Sequence, residues 1–173
     1  MSGYYMNESN VTILHGIATS AGTSFKVTSQ IKASRACDAA GQFYRTATHA
    51  LEAGDTSAAV TCIAFSLELG LKSIQYSEGN APRGHTLSRL LVGLSSSSQG
   101  AIKDQLTMPA SEPCRIDLSS ALEPFDAAFI DWRYAYEKVT VSVNYSLLSK
   151  MANATLHVAA KLLQQSKKTS GED

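Results

Sequence analysis

The chain has 173 residues, of which 44% are hydrophobic and 17% charged, a composition typical of one globular domain with a single core. Fifteen basic and fifteen acidic side chains give a formal net charge of zero, which excludes a strong overall attraction to nucleic acid but leaves room for a local basic patch. The cysteines Cys37, Cys62 and Cys114 are odd in number and widely separated, which argues against a disulfide framework and a zinc site.

We expect a soluble, cytoplasmic protein that contains no metal and no cofactor and does not enter a membrane. No secretory signal pattern is found at the start of the sequence. The longest apolar run, residues 58–71, is interrupted by polar side chains and is too short to cross a bilayer. The predicted organisation is an N-terminal arm over residues 1–25, a helical bundle over 26–166 and a flexible tail over 167–173.

Two long helices are predicted in the first half of the chain. Small and apolar residues recur every three or four positions from Thr28 to Ala53, and Gly54 is suited to end this helix. Asp55 is a good N-cap for the second helix, which extends to about Glu78 and is apolar on two faces. The second helix should therefore be the most buried element.

Shorter elements follow in the middle of the chain. A third helix is predicted over residues 85–94, where leucines recur at helical spacing. A polar turn over 95–100 then precedes one or two helical turns over 101–106. Two prolines predict an irregular loop over 107–117.

The last part of the chain predicts two more helices. A fourth long helix begins at Ser119 or Ser120 and carries an aromatic core stripe as far as Tyr136. The β-branched run 139–143 predicts an extended linker or a short strand. A final helix spans about Tyr145–Gln165 and buries Leu148, Met151, Thr155, Val158 and Leu162. Together these elements predict an all-α, up-and-down bundle of four to five helices.

Glu68 and Lys72 are a charged pair in the most apolar helix. They lie four residues apart with the acid first, and the simplest interpretation is a surface ion pair. That helix has little surface to spare, however, so a member that faces the bundle needs a partner from another helix. His85 and Arg133 are the leading candidates. Such a network either fixes packing or marks a functional site.

The segment Arg83-Gly84-His85 lies at the start of the third helix. One interpretation is that a cap or a hydrogen bond to a carboxylate holds His85 there and that its role is structural. Alternatively, an imidazole side chain changes its protonation near neutral pH and so suits proton transfer. Arg83 is a further candidate for ligand binding or for the polar network.

Arg133 is placed between the aromatic stripe and Glu137, which follows it by four residues. Its guanidinium either forms an internal ion pair or recognises a phosphate. Tyr134 beside it either stacks on a nucleobase or belongs to the core. Arg45 and His49 share a face of the first helix, where they either bind phosphate or lie on a solvated surface.

Several short motifs follow one another along the chain. They are Tyr44-Arg-Thr-Ala-Thr-His-Ala-Leu-Glu-Ala-Gly54, Ala58-Ala-Val, Glu68-Leu-Gly-Leu-Lys72, Gly84-His-Thr-Leu87 and Arg133-Tyr134. Taken together and in this order, they resemble a HEPN domain over roughly residues 30–165. The resemblance implies a helical bundle, often a homodimer, of a family associated with nucleotide and RNA transactions in bacterial defence and toxin systems.

Active HEPN domains cut RNA without metal and carry an arginine, four to six further residues and then a histidine. Arg133 is the natural match for that arginine, but residues 138–140 are Lys, Val and Thr. The resemblance therefore implies a non-catalytic or degenerate module that binds a nucleotide, RNA or a partner protein. One alternative is a metal-independent ribonuclease that combines Arg133 with His85, Glu68 or Tyr134. Another is an oligomeric scaffold without a small ligand.

Overall fold

The structure, a computed structural model, describes residues 28–107, 117–126 and 143–169. These ranges contain six α-helices and no strand, so the predicted all-α fold is confirmed. The helices are α1 (Ser29–Glu52), α2 (Thr56–Ser77), α3 (Leu87–Val92), α4 (Ser96–Thr107), α5 (Leu118–Leu122) and α6 (Tyr145–Thr169), with a short 3-10 helix at Glu123–Phe125.

The first two helices form a hairpin whose ends are those predicted. Thr28 caps α1 because its hydroxyl accepts a hydrogen bond from the backbone N–H of Ile31 at 3.3 Å. Gly54 then has a φ of 80°, a left-handed backbone conformation that residues with a Cβ rarely adopt. Asp55 caps α2, its carboxylate accepting from the N–H of Ala58 at 3.0 Å.

Helix α2 is the centre of the bundle, as its two apolar faces predicted. It packs against α1, α3 and α6, and it buries large side chains such as Ile63, Leu67 and Ile74 completely or almost so. At Gly70 the crossing with α6 is so close that an added Cβ would lie 2.9 Å from the γ-methyl of Thr155. A glycine is thus required for this approach of the two helices.

Among the described residues, α2 is the one helix whose length and hydropathy would suffice to cross a membrane. This helix is longer than the apolar run over residues 58–71, which was predicted to be too short to cross a bilayer. More than half of its most apolar stretch is buried inside the bundle, and a central helix of a globular core has this same composition.

The predicted polar turn over residues 95–100 is wrong, because α4 begins at Ser96. The Ser95 hydroxyl accepts from the N–H of Ser98 at 3.2 Å and donates to the carboxylate of Glu78 at 2.6 Å. Ser95 therefore acts as the N-cap of a full helix. The serine run looks like a turn in the sequence, but a carboxylate from the end of α2 stabilises it as a helix start.

The helix after the second gap also begins differently from the prediction. Asp117, rather than Ser119 or Ser120, caps α5, since its carboxylate accepts from the N–H of Ser119 at 3.1 Å. α5 ends at Leu122 and a 3-10 helix containing Pro124 follows it. The rest of the predicted fourth long helix lies outside the described residues. So do the arm over 1–25 and most of the segments 107–117 and 139–143.

Helix α6 begins at Tyr145 as predicted and extends to Thr169, four residues beyond the predicted end. The side chain of Asn144 accepts from the N–H of Leu147 at 3.0 Å and caps its first turn. Four of the five predicted core side chains of α6 are buried, and the fifth is half-buried. The buried ones are Leu148, Met151, Thr155 and Val158, and the half-buried one is Leu162.

Candidate functional site

The carboxylate of Glu68 joins two other polar side chains at the edge of the core. Its Oε1 accepts from Nζ of Lys72 at 2.7 Å and lies 2.9 Å from Nδ1 of His85. The Glu68 side chain is only 5% exposed and that of Lys72 is 17% exposed. Because a carboxylate at this depth has lost most of its water, the ammonium beside it compensates its charge.

His85 reaches Glu68 from a turn before α3, and not from within the predicted third helix. α3 begins at Leu87, two residues later. Gly84 has a φ of 79°, which reverses the chain directly before His85. The turn therefore depends on a glycine, and it brings the imidazole back towards α2.

A carboxylate from a distant part of the chain anchors the start of α3. Thr86 occupies the N-cap position but forms no side-chain capping hydrogen bond. Instead, Asp126 accepts from the N–H of Ser88 at 2.8 Å and from its hydroxyl at 2.5 Å. This carboxylate takes over the role of the missing cap and so fixes the helix next to which His85 lies.

The arrangement holds one ring nitrogen of His85 and leaves most of the imidazole in solvent. Nδ1 of His85 is held by Glu68, while the side chain as a whole is 75% exposed. A carboxylate that holds one ring nitrogen sets the tautomer of the imidazole and orients its other nitrogen. That second nitrogen can then accept a proton or, when it carries one, donate a hydrogen bond to an anion.

The structure brings together Glu68, Lys72 and His85 but not every residue that the sequence singled out. Arg83 is exposed and forms no ion pair with a described residue. Arg133, Tyr134 and Glu137 lie outside the described residues. Over the described ranges, no cluster of three or more His, Cys, Asp or Glu side chains is arranged to hold a metal ion.

A second polar surface lies between α1 and α6, which the sequence analysis missed. It is an open groove of about 580 Å³ that contains Arg45 and Asp38 of α1 and His157 and Asn153 of α6. His49, the predicted neighbour of Arg45, lies outside this groove and is 3.5 Å from Glu52. The sequence signal that could have revealed it is the spacing of Asn153 and His157, which lie four residues apart and so share a face of α6.

Cys37 lines the same groove and is half-buried. Burial raises the pKa of its thiol, the neighbouring Asp38 carboxylate raises it further, and a hydrogen bond with Ser73 acts in the opposite direction. At neutral pH the thiol is therefore mostly protonated and weakly nucleophilic.

The comparison with protein families agrees with the fold. No curated protein and no solved structure shows a significant similarity to the chain. The HEPN domain family matches residues 33–168, which include most of α1, all of α2, the Glu68 cluster and nearly all of α6. The chain therefore belongs to the HEPN domain family.

Proposed function

We propose that this HEPN domain is a binding or assembly module that does not cut RNA. Its HEPN domain indicates a nucleotide- or RNA-related function. The proposed contact surface is the region around Lys72, His85 and Arg133. Its ligand is an RNA, a nucleotide or a partner protein.

One observation carries the non-catalytic part of the proposal. None of the six arginines in the chain is followed by a histidine after four to six residues, and Arg133 is followed at that distance by Lys138, Val139 and Thr140. Cleavage of RNA by its own ribose hydroxyl needs one group to move protons and another to stabilise the charge on phosphorus. The sequence motif that supplies both in active relatives is incomplete here.

The contact between Glu68 and His85 favours a second candidate, a metal-independent ribonuclease. A carboxylate-held imidazole that is 75% exposed is available to take a proton from a bound substrate. In this alternative Arg133 stabilises the phosphorane charge and His85, assisted by Glu68 or replaced by Tyr134, moves the proton.

Incubating a labelled single-stranded RNA with the purified protein in EDTA distinguishes the two candidates. We expect the RNA to stay intact while His85→Ala and Arg133→Ala each weaken its binding. The matched control is Arg89→Ala, which removes an exposed charge from α3. Cleavage that disappears in either variant, with the fold retained, would instead establish the ribonuclease.

We also propose that the protein forms a homodimer and acts in the cytoplasm, in a bacterial defence or toxin-antitoxin setting. The support for this is the HEPN family itself. Light scattering after size-exclusion chromatography tests the first point directly. We expect twice the monomer mass at micromolar concentration, and a monomer at all concentrations would exclude the homodimer.

A further inference from the structure

The solvent side of α6 is a continuous polar stripe. Six side chains follow one another at intervals of three or four residues, so they share one face of the helix. With a rise of 1.5 Å per residue the stripe is about 27 Å long. All six are exposed, and they are Lys150, Asn153, His157, Lys161, Gln164 and Lys168.

The charge of this helix is one-sided. Residues 145–169 contain four lysines and one histidine but no aspartate or glutamate, although the whole chain is neutral. The positive charge of α6 is thus uncompensated within its own helix. A cationic stripe on a neutral protein creates a local positive potential that the overall composition conceals.

Depressions flank the stripe on both sides near its middle. The groove of about 580 Å³ towards α1 adds the guanidinium of Arg45, with Asp38 as the acidic residue in its lining. A second depression of about 240 Å³, towards α4, shares Asn153 and His157 with the first and adds Lys150. Both depressions therefore open beside the cations of α6.

The stripe lacks the features of a protein-binding surface. The large hydrophobic side chains that are exposed in the described part of the chain are Ile31, Leu51 and Val92, none of which belongs to α6. Protein interfaces usually have an apolar or aromatic centre. Lysines alternating with amide side chains are instead typical of contacts to phosphate and sugar.

We propose that α6 binds the phosphate backbone of single-stranded RNA along this stripe, independently of base sequence. Lys150, Lys161 and Lys168 contact phosphates, and the two flanking depressions give unpaired bases room beside the backbone. The stripe contains no Phe, Tyr or Trp side chain and only the imidazole of His157 as an aromatic ring, so base stacking contributes little there and binding is governed mainly by charge. This inference rests on the proposed function, because it gives that binding module an RNA surface in addition to the region around Lys72, His85 and Arg133.

The test uses a fluorescein-labelled 20-nucleotide oligouridine and the full chain, with anisotropy measured over a range of salt concentrations. Each lost phosphate contact should reduce the salt slope by about 0.7 for a single strand. Lys150→Ala/Lys161→Ala should therefore flatten the slope by about 1.4 and weaken binding about 25-fold at 0.1 M salt. The matched control, Arg89→Ala, removes an exposed charge from α3, which packs on α2 and α5 rather than on α6, and should leave the slope unchanged.

Alkylation of the cysteines gives an independent measurement. Cys37 lines the groove towards α1, whereas Cys62 is on α2 and does not line it. Bound oligouridine should slow the modification of Cys37, followed site by site by mass spectrometry, and leave Cys62 unaffected. Equal rates at Cys37 with and without RNA would count against the groove as part of the contact.

The outcomes separate this inference from the proposed function. Binding that is lost in the α6 variant and kept in His85→Ala supports the stripe and moves the RNA contact away from the Glu68 cluster. Binding that is lost only in His85→Ala supports the proposed site and overturns the stripe. Competition by polyglutamate as strong as that by unlabelled oligouridine would show a surface for acidic protein and would also overturn it, as would the absence of any binding to oligouridine.

Discussion

The buried carboxylate of Glu68 and the exposed imidazole of His85, seventeen positions apart in the chain, meet at 2.9 Å. Glu68 is held within the central helix, and the ammonium of Lys72 shares the same oxygen at 2.7 Å. His85 has most of its ring in solvent. The pair thus connects the core of the bundle to its surface, and a change at either end should affect the other.

Replacing Glu68 with alanine should destabilise the fold. The change leaves the largely buried ammonium of Lys72 without its carboxylate, at a cost of about 2 kcal/mol in the free energy of unfolding. Urea denaturation measures it. The control is Glu52→Ala, which removes a carboxylate that is 70% exposed and 3.5 Å from His49 and should change stability by less than about 0.5 kcal/mol. Equal effects of the two substitutions would contradict the buried network.

Adding a methyl group at Gly70 should force α2 and α6 apart. The new Cβ would lie 2.9 Å from the γ-methyl of Thr155, so Gly70→Ala should cost about 1 kcal/mol even after the gain in helix propensity. The double variant Gly70→Ala/Thr155→Ala places the methyl where the threonine was and should recover most of the loss.

A double-mutant cycle by urea denaturation measures the coupling of these two positions. Gly100→Ala on α4 is the matched control, because no atom beyond its chain neighbours and the adjoining backbone of its own helix lies within 4 Å of the added Cβ. It should raise stability by about 0.5 to 1 kcal/mol. Additive effects at Gly70 and Thr155 would mean that the helices do not approach so closely.

Removing the carboxylate of Asp126 should loosen α3 and with it the turn that carries His85. Asp126→Ala leaves the N–H and hydroxyl of Ser88 without their acceptor, and we expect a loss of about 1 to 2 kcal/mol. Amide hydrogen exchange should also accelerate at the first turn of α3. Unchanged exchange there would show that α3 does not need this distant cap.

Asp117 should titrate at a lower pH than an ordinary aspartate. The hydrogen bond from the Ser120 hydroxyl at 2.7 Å, followed by that from the N–H of Ser119, lowers the pKa of its carboxyl. Its contribution to stability is therefore complete above the pKa of the unfolded chain, about 3.9, and is lost as the pH falls through the lower folded value. An NMR titration of the side-chain carbon measures this pKa directly, and a value at or above 3.9 would exclude the cap.

The ends of α1 and α2 were predictable from the sequence because their causes are local. Asp55 caps α2 through the N–H of Ala58, only three positions away. Gly54 ends α1 through its own backbone conformation. Such signals act within one turn. The periodicity of α2 likewise predicted that it would be the buried centre of the bundle.

Local signals failed where a distant side chain decides the structure. The serines after Leu94 form a helix because Glu78, from the end of α2, holds Ser95, and α3 is capped by Asp126 rather than by its own Thr86. In the candidate site, residue type and spacing were enough to predict that Glu68, Lys72 and His85 belong to one polar cluster. The groove between α1 and α6 was missed, because Arg45 and His157 are far apart in the chain.

The sequence by itself determined an all-α fold of the HEPN family, the limits of α1 and α2 and the residue types available for a polar site. Only the tertiary structure decided that the Glu68 carboxylate lies beside the His85 imidazole and that the solvent face of α6 borders a groove. Helix periodicity specifies which side chains share a face, because it repeats within a few residues. Which faces then meet depends on packing between segments far apart in the chain, as at Gly70 and Thr155.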